Sequence, residues 1–431
     1  MVLRLAGFYR FLQMYQPNHI IIKRVTSVLY YSAIFLYCFV IRVAVLFNAK
    51  AALWGAGRKN WRTNLKLACA KLSGETVWIH CSSLGEFEQA RPIVDGIKSE
   101  CQGVNVVVSF FSPSGYTIRH NYKYADMVVY LPCDLPGNAA YFIKTLKPNL
   151  AVFVKYDLWY GYLKVLFQMN IPAILVSAIQ HKALTGWSGA LYKKICYRLL
   201  DKIYVQDELS MTNIRAAVNR EVRVAGDTRI DSVIRFSGIT DHKLDCDMKR
   251  FVGDDSCLVC GSTWPADQDL LIPLIKDEIF NHWKAIIAPH EMKKDDLENL
   301  KKQFGEKAIF YSEFERYDQT HTILIIDSIG HLSKIYRYAT LAYIGGGFGK
   351  GIHNTLEPAA FGLPVIFGPN FKKFSEAVSL TKDKAFTPIN NQNELFSTFI
   401  YYNKVENRKN AAEAIRAYMN SNKGASGLIL H

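Results

Sequence analysis

From Thr76 onward the chain alternates short apolar runs with longer stretches of helical pattern. Strands that alternate with helices in this way pair in parallel, because the helix supplies the crossover connection that a parallel pair needs. The runs fall into two sets of six, separated by the polar segment 231–255, which we interpret as a linker. The sequence therefore predicts an α/β protein with two doubly wound domains. The predicted strands are 77–80, 104–108, 127–131, 150–154, 173–176 and 202–205 in the first half, and 257–260, 283–287, 308–311, 323–326, 341–344 and 365–367 in the second.

The domain organisation follows from length and pattern. A chain of 431 residues is long enough for two domains, and 50% hydrophobic residues can fill two cores. The stretch 394–422 has a helical pattern. We predict an N-terminal segment over 1–50, a first Rossmann-like domain over 51–232, a second over 233–400, and a C-terminal helix over 401–431 that could pack back across the first domain.

The N-terminal segment contains an apolar stretch. Residues 25–41 carry no charge, Arg42 interrupts the stretch, and basic residues flank both ends. A spanning helix needs about 20 apolar residues, and an arginine near its end can reach the interface. We predict a membrane anchor over about 25–47, spanning or lying in the interface, with the remaining domains in the cytoplasm. The alternative is a buried helix of the first domain.

The net charge of +14 favours anionic partners, such as an anionic membrane surface or a phosphorylated substrate. The basic residues are spread along the chain without a basic helix or an aromatic RNA-binding signature, so we predict no nucleic-acid partner. The nine cysteines are scattered and odd in number, which indicates a reducing compartment. We find no metal-ligand cluster in the sequence and predict no metal.

A glycine-rich loop directly follows the predicted strand 341–344. Five glycines in seven residues, 345–351, suggest close approach to a ligand rather than packing. A helix is predicted over 355–361 with Asn354 as its N-cap, and a strand, a glycine loop and a helix N-terminus together can bind an anion. Glu357 could then accept hydrogen bonds from a ribose. The alternative is a tight loop before a capped helix, because the Gly-Lys-Ser/Thr of a P-loop is absent.

Other candidate residues follow the remaining strands, since ligands of doubly wound sheets bind at the carboxyl ends of strands. Glu86 follows the first strand, where a carboxylate can act as a general base; the alternative is a helix-dipole glutamate in the first turn. Asp157 follows another strand of the same half. In the second half, His290 is a candidate phosphate contact or, alternatively, an ordinary surface histidine.

These pieces, in this order, resemble the 3-deoxy-D-manno-octulosonic acid (Kdo) transferases of lipopolysaccharide synthesis. The resemblance runs from about Leu29 to the C-terminus. The motifs that carry it are Gly57-Arg-Lys-Asn60, His80-Cys-Ser-Ser-Leu-Gly-Glu86, Ser112-Pro-Ser-Gly115, Leu131-Pro-Cys-Asp-Leu-Pro136, Asp157-Leu-Trp159, Gly226-Asp-Thr-Arg-Ile-Asp231, Gly261-Ser-Thr263, Gly345-Gly-Gly347, His353-Asn-Thr-Leu-Glu-Pro358 and Gly368-Pro-Asn370.

The resemblance implies a GT-B fold, in which two Rossmann-like domains face each other across a cleft. It also implies inverting transfer of Kdo from CMP-Kdo to a tetraacyl lipid A precursor at the cytoplasmic (inner) membrane, without a cofactor or metal. The first domain would bind the lipid and the second the nucleotide. The alternatives are another membrane-associated GT-B transferase that uses a UDP-sugar, and a non-catalytic lipid-binding protein of this fold.

Residue roles also follow from the resemblance, with Glu86 as the catalytic base. Three sites depart from the family pattern: Lys155 and Tyr156 replace an acidic residue and a threonine, no arginine lies between Pro289 and His290, and 177–180 is altered. The implied acceptor-side residues are Ser83, Gly85, Ser112, Ser114, Gly115 and Asp157, and the implied donor residues are Arg229, Ser262, Thr263, Pro289, His290, Gly346, Gly347, His353, Asn354 and Glu357.

Overall fold

The computed structural model describes residues 17–185 and 189–431. The chain divides into two compact units, Met1–Arg229 with Gly424–His431, and Ile230–Lys423. Each unit is built on one sheet of seven strands. The first 16 residues of the predicted N-terminal segment lie outside the described residues.

The first unit contains a fully parallel sheet. The strand order is β3-β2-β1-β4-β5-β6-β7. Its central strands are largely apolar because helices cover both faces of a parallel sheet. The strands are β1 (Thr76–Cys81), β2 (Asn105–Phe110), β3 (Met127–Tyr130), β4 (Leu150–Val154), β5 (Ala173–Ala178), β6 (Lys202–Val205) and β7 (Glu221–Val224); the helices are α1 (Pro17–Ala44), α2 (Ala49–Ala56), α3 (Trp61–Cys69), α4 (Leu84–Glu100), α5 (Pro113–Arg119), α6 (Asn138–Leu146), α7 (Tyr160–Gln168), α8 (Gly189–Tyr197) and α9 (Glu208–Arg215), with α10 (Thr228–Ser237) starting at its end.

The second unit repeats this plan with the strand order β10-β11-β9-β8-β12-β13-β14, again parallel throughout. Its strands are β8 (Ser256–Thr263), β9 (Trp283–Pro289), β10 (Ala308–Phe310), β11 (Ile323–Ile325), β12 (Leu341–Ile344), β13 (Val365–Phe367) and β14 (Phe386–Pro388); its α-helices are α11 (His242–Val252), α12 (Pro265–Lys276), α13 (Lys294–Phe304), α14 (Leu332–Ile335), α15 (Leu356–Ala359), α16 (Ser375–Lys382), α17 (Gln392–Asn403) and α18 (Val405–Asn422), with short 3₁₀ helices at Glu278–Phe280, Gly305–Lys307, Tyr311–Arg316 and Tyr336–Tyr338.

The last helix, α19 (Ala425–Leu430), belongs to the first unit. It packs against α4, where a Cβ atom on Gly96 would lie 2.4 Å from Cδ1 of Leu430. Gly96 therefore makes room for the C-terminal side chains. The segment 401–431 is not a single helix, since α18 and α19 fall in different units.

The strand order creates one switch point in each sheet. The chain builds outward from β1 in one direction and then returns to add β4 on its other side, and it does the same with β8 and β12. Loops that follow the two strands at a switch point diverge, which leaves a crevice at the carboxyl edge of the sheet. The predicted α/β class, with two doubly wound domains, is confirmed, and all twelve predicted strands are present.

The linker prediction for 231–255 is wrong for most of this segment, because it forms the end of α10 and all of α11. Leu244, Met248 and Phe251 of α11 are buried in the core of the second unit. Their spacing of three and four residues places them on one face of the helix. The polar residues of α11 lie on its opposite, solvent-facing side.

The part of α1 from Ser27 to Ala44 is mostly apolar and exposed. The window Ser27–Ala44 has a mean hydropathy of 1.7, and 6% of it is buried. One edge packs on the first unit, where the Tyr30 hydroxyl donates to Oδ2 of Asp134 (2.7 Å) and Ser27 Oγ lies 2.9 Å from the Tyr160 hydroxyl. The alternative that this helix is a buried core helix is therefore wrong for Ser27–Ala44.

We expect Phe251→Ala to lower the free energy of unfolding by about 3–5 kcal/mol, because it empties a fully buried aromatic site. Lys249→Ala, on the exposed face of the same helix, should change it by less than about 0.5 kcal/mol. Urea denaturation followed by circular dichroism measures both. Equal, small effects would mean that the segment is a linker after all.

Candidate active site

Glu86 lies at the carboxyl edge of the first sheet, just after β1. It is the third residue of α4, whose N-cap is Ser83. Its Oε2 accepts hydrogen bonds from the backbone N–H groups of Ser82 (2.5 Å) and Ser83 (3.1 Å). This is the capping-box arrangement that stabilises a helix start. Glu86 therefore does have the alternative role of a first-turn glutamate that stabilises the helix start. The same hydrogen bonds fix its carboxylate at the switch point between β1 and β4.

The surroundings of Glu86 also change its acidity. Burial and the nearby negative charge of Asp157 raise the pKa of Glu86 to about 7, against smaller opposing effects of the two N–H groups and Lys155. Among residues 17–185 and 189–431, no group donates a hydrogen bond to its second oxygen, Oε1. A carboxyl group that titrates near neutral pH and has one oxygen available meets the requirements of a general base.

Asp157 lies against His80. Nε2 of His80 is 2.9 Å from Oδ2 of Asp157, a close polar contact without hydrogen-bond geometry. On the other side of the ring, Nδ1 lies 2.8 Å from Oγ of Ser109, which accepts a hydrogen bond from Trp78 Nε1 at 2.8 Å. His80, Ser109 and Trp78 are completely buried. A polar row through the core thus supports the carboxylate that faces Glu86.

Sequence reasoning did not identify His80 or Ser109 as site residues. A signal was present, because these are polar residues inside two apolar strands and they stand opposite each other in the β1–β2 register. Lys155 is one of the predicted departures from the family pattern, and it lies in a loop that follows a strand. Its backbone has a φ of +60°, which is unfavourable for a residue with a side chain, and its charge lowers the pKa of Glu86. Such strain is typical of functional sites.

The loop after β2 packs against the loop of Glu86. The N–H of Ser112 donates to the carbonyl of Ser82 at 2.8 Å. A Cβ atom on Gly115 would lie 2.3 Å from the Phe110 ring and 3.2 Å from the backbone nitrogen of Leu84, so only glycine allows this approach. The structure thus brings together the predicted acceptor-side residues, which are Ser83, Gly85, Ser112, Ser114, Gly115 and Asp157.

In the second unit, Asp267 braces the loops at the switch point between β8 and β12. Its Oδ2 accepts hydrogen bonds from the N–H groups of Trp264 and Gly346, both at 2.9 Å, and its Oδ1 accepts one from the Tyr343 hydroxyl at 2.8 Å. Asp267 is 1% exposed. It joins the end of β8 to the glycine loop, and the sequence analysis did not identify it.

The glycine loop is packed against other backbone. A Cβ atom on Gly345 would lie 2.3 Å from the carbonyl oxygen of Ser262, and one on Gly347 would lie 2.6 Å from the nitrogen and Cα of Gly368. Gly346 has a φ of +90°. The interpretation that these glycines serve ligand approach rather than packing is therefore wrong for Gly345 and Gly347. Gly345 allows contact with the end of β8, and Gly347 allows contact with the loop after β13.

The helix after this loop is shorter than predicted. It covers Leu356–Ala359 rather than 355–361, and its N-cap is Thr355. Asn354 Oδ1 accepts from the N–H of Leu356 at 3.1 Å, and its Nδ2 donates to Oε1 of Glu357 at 3.0 Å. One turn of helix supplies only a small dipole, so the predicted anion site at this N-terminus is not supported. The Asn354–Glu357 pair is nevertheless held in a fixed geometry.

Three aromatic rings stack beside this loop. The ring centroid of His290 lies 4.6 Å from that of Trp264 and 4.3 Å from that of His353, and Trp264 Nε1 donates to Nε2 of His353 at 3.1 Å. Burial and the adjacent His290 lower the pKa of His353 to about 4, so this ring is neutral at pH 7. The stack brings His290 and His353 together, and Trp264 is a third member that the sequence analysis missed.

Other predicted donor residues are placed as follows. The N–H of His290, directly after Pro289, donates to the carbonyl of Thr263 at 2.9 Å. Ser262 has a φ of +54°. Arg229 is the last residue of the first unit, where its Nε donates to Oδ2 of Asp227 at 2.9 Å. Among the described residues, no group of three or more His, Cys, Asp and Glu side chains could hold a metal ion. The functional roles of all these residues stay predictions.

Comparison with known sequences connects this geometry to one family. The family model described as 3-deoxy-D-manno-octulosonic-acid transferase (kdotransferase) matches residues 59–232. The 3-deoxy-D-manno-octulosonic acid transferase of Aquifex aeolicus is 24% identical over 325 residues, covering 74% of this chain and 83% of that protein. The corresponding enzyme of Haemophilus influenzae is 25% identical over 314 residues, covering 70% and 72%. This chain is similar to Kdo transferases over most of its length.

The Kdo transferases that it resembles are glycosyltransferases, the enzyme class that the sequence predicts for this chain. A bifunctional glycosyltransferase/methyltransferase of Fusobacterium nucleatum is 28% identical over 370 residues, which cover 81% of this chain and 55% of that protein. Among solved structures, the UDP-GlcNAc 2-epimerase of Neisseria meningitidis aligns with a TM-score of 0.59 at 14% identity, over 83% of this chain and 98% of that chain. At such low identity the likeness shows the fold alone, which is GT-B-like.

We expect Gly347→Ala to lower the free energy of unfolding by about 1–3 kcal/mol, because its Cβ would meet the backbone of Gly368, which has no side chain to move aside. Gly349→Ala is the matched control in the same loop, where the nearest atom, the Gly346 carbonyl oxygen, lies at 3.6 Å. Thermal unfolding measures both. A Gly347 variant as stable as the Gly349 variant would contradict the close packing of the two loops.

Proposed function

We propose that this protein transfers Kdo from CMP-Kdo to a tetraacylated lipid A precursor, with inversion at the anomeric carbon and Glu86 as the general base. The observation that carries this proposal is the Glu86 carboxyl group, which lies at the switch point with a raised pKa and an available Oε1. Similarity to Kdo transferases supports the choice of sugar.

The proposed reaction needs one proton acceptor on the acceptor side. Glu86 removes the proton of the attacking hydroxyl as that oxygen forms a bond to the anomeric carbon and the bond to CMP breaks. A pKa of about 7 makes Glu86 a stronger base than an exposed glutamate while leaving much of it ionised at neutral pH. The hydroxyls of Ser112 and Ser114, which lie 2.9 Å apart after β2, could orient the acceptor.

The second unit would bind the nucleotide part of the donor. The paired side chains of Asn354 and Glu357 present a carboxylate suited to a ribose diol, and His290 could contact the leaving phosphate. His353 is neutral at pH 7 and can take part in hydrogen bonds without adding charge. Arg229 is less suited to this task than expected, because its guanidinium is paired with Asp227. We propose no cofactor or metal.

The proposed location is the cytoplasmic membrane, with the two units on the cytoplasmic side. The exposed apolar face of α1 would lie in the bilayer, and the net charge of +14 would favour an anionic surface. A lipid acceptor requires the enzyme to work at this surface.

We expect Glu86→Gln to lower the transfer rate by about 10²–10⁴-fold, because glutamine can still accept the N–H bonds of Ser82 and Ser83 but cannot take a proton. The affinity for CMP should be unchanged. The control is Glu88→Gln. Glu88 lies on the same helix as Glu86 and forms ion pairs with Arg91 and Arg119. Mass spectrometry of the lipid after incubation with CMP-Kdo measures transfer. No product with the unaltered protein, or transfer from a UDP-hexose instead, would refute the proposed donor.

We expect Asp157→Asn to move the acidic limb of the pH dependence of kcat/KM to lower pH. In the unaltered protein the Asp157 charge raises the pKa of Glu86 to about 7, so the base becomes active only as the pH rises through that value. Removing the charge lowers the pKa of Glu86 and lets it ionise at lower pH. A limb that stays at the same pH in Asp157→Asn would exclude this coupling.

A further inference from the structure

A cavity of about 490 Å³ lies in the first unit, where the end of α1, α2 and the turn after β3 meet. Two tryptophans and one proline, Trp54, Trp61 and Pro132, form part of its wall. Arg42, Arg58 and Lys59 also line the cavity, and none of its lining residues is acidic. We call this cavity the cationic pocket. It combines three positive charges with an apolar wall.

Arg58 places a permanent charge in the wall of the cationic pocket. Its guanidinium donates to the carbonyl oxygens of Leu131 (2.9 Å), Phe111 (2.8 Å) and Trp54 (3.1 Å) and lies 4.0 Å from the centroid of the Trp54 ring. Burial lowers the pKa of Arg58 to about 10, so it stays charged at pH 7. A buried charge without a counter-ion is costly, and the described residues offer Arg58 no carboxylate. An anion in the pocket would remove this cost.

The other two cations are equally without a carboxylate. In the described part of the chain, neither Arg42 nor Lys59 forms an ion pair. Asp134 follows the pocket residue Cys133, but its Oδ2 is used by the Tyr30 hydroxyl and the Gly161 N–H. A cavity lined by positive charges without acidic neighbours attracts anions. The three cations around this cavity therefore indicate an anionic ligand.

The surroundings of the cationic pocket indicate the kind of anion. Arg42 projects from α1 beside exposed apolar side chains, among them Phe39, Val43 and Phe47, which are 55%, 46% and 85% exposed. An anion bound here would lie at the edge of an apolar surface suited to lipid chains. The headgroup of a membrane lipid has this chemistry, since its phosphate is joined to apolar chains.

The cationic pocket is separate from the candidate active site. The Arg58 guanidinium lies 4.7 Å from the ring centroid of Phe111, the Phe111 ring lies 4.6 Å from that of Trp159, and the Trp159 ring lies 6.3 Å from that of His80. This row of aromatic side chains lies between the pocket and the carboxylates of the site. A small headgroup in the pocket would therefore not reach Glu86.

We propose that the cationic pocket binds the phosphate headgroup of an anionic membrane phospholipid, with Arg42 and Lys59 as its direct contacts and Arg58 as the fixed charge behind them. The lipid chains would lie along the apolar face of α1. Such a site would hold the first unit at a defined depth against the bilayer. This inference does not depend on the identity of the sugar donor or of the acceptor.

Two double variants of the full-length protein test this proposal. Arg42→Gln with Lys59→Gln removes two charges from the pocket, and Lys50→Gln with Lys66→Gln removes two exposed charges from α2 and α3 that do not line it. Both variants lose the same net charge. Binding is measured by flotation with phosphatidylcholine vesicles that contain or lack phosphatidylglycerol, and bound lipid is identified by native mass spectrometry after extraction in mild detergent.

We expect the pocket variant to bind phosphatidylglycerol vesicles about 100-fold more weakly than the control variant, because only the pocket variant loses charge-assisted hydrogen bonds to the phosphate. The pocket variant should also lose a phosphatidylglycerol molecule that the unaltered protein and the control variant retain. Equal losses of vesicle binding in the two variants would show general surface attraction and overturn the proposal. Retention of the tetraacyl lipid acceptor instead of phosphatidylglycerol would overturn the identity of the ligand.

Discussion

Burial of the Glu86 carboxyl group, reinforced by the nearby charge of Asp157, governs the chemistry of the first unit. Burial alone would raise the pKa of Glu86, and the charge of Asp157 raises it further. The two N–H groups at the start of α4 oppose both effects but do not cancel them. The outcome is a carboxyl group that titrates near neutral pH in a position where a hydroxyl could approach it.

The polar side chains that position these loops are buried in the core. β1 and β4 are neighbours in the sheet, so the loops that carry Glu86 and Asp157 leave the same edge side by side. His80 on β1 contacts Asp157, and Ser109, at the paired position on β2, contacts the other nitrogen of the His80 ring. The second unit uses the same device, since the buried Asp267 ties the end of β8 to the loop after β12. In both units a buried polar group fixes the crevice at the switch point.

Much of the fold could be predicted, because a parallel sheet covered on both faces requires continuous apolar strands, and these stand out in the sequence. The edge strands β7 and β14 were missed because Glu221–Val224 alternates charged and apolar residues and Phe386–Pro388, with the sequence Phe-Thr-Pro, contains no apolar run. Glu86 could be located from its place after a strand. The His80–Ser109 register and the contact of Gly347 with Gly368 could not, because each joins segments far apart in the sequence. The left-handed backbone of Lys155 could not either, because a lysine does not indicate that conformation.

The most direct test of this account is a titration of the Glu86 carboxyl group itself. The protein is labelled with ¹³C at the glutamate side-chain carboxyl, and the Glu86 resonance is assigned by its absence in the Glu86→Gln variant. The chemical shift of that carbon is then followed with pH. The account predicts a midpoint near pH 7. A midpoint near 4.5, the ordinary value for glutamate, would show that burial and Asp157 do not prepare this residue as a base.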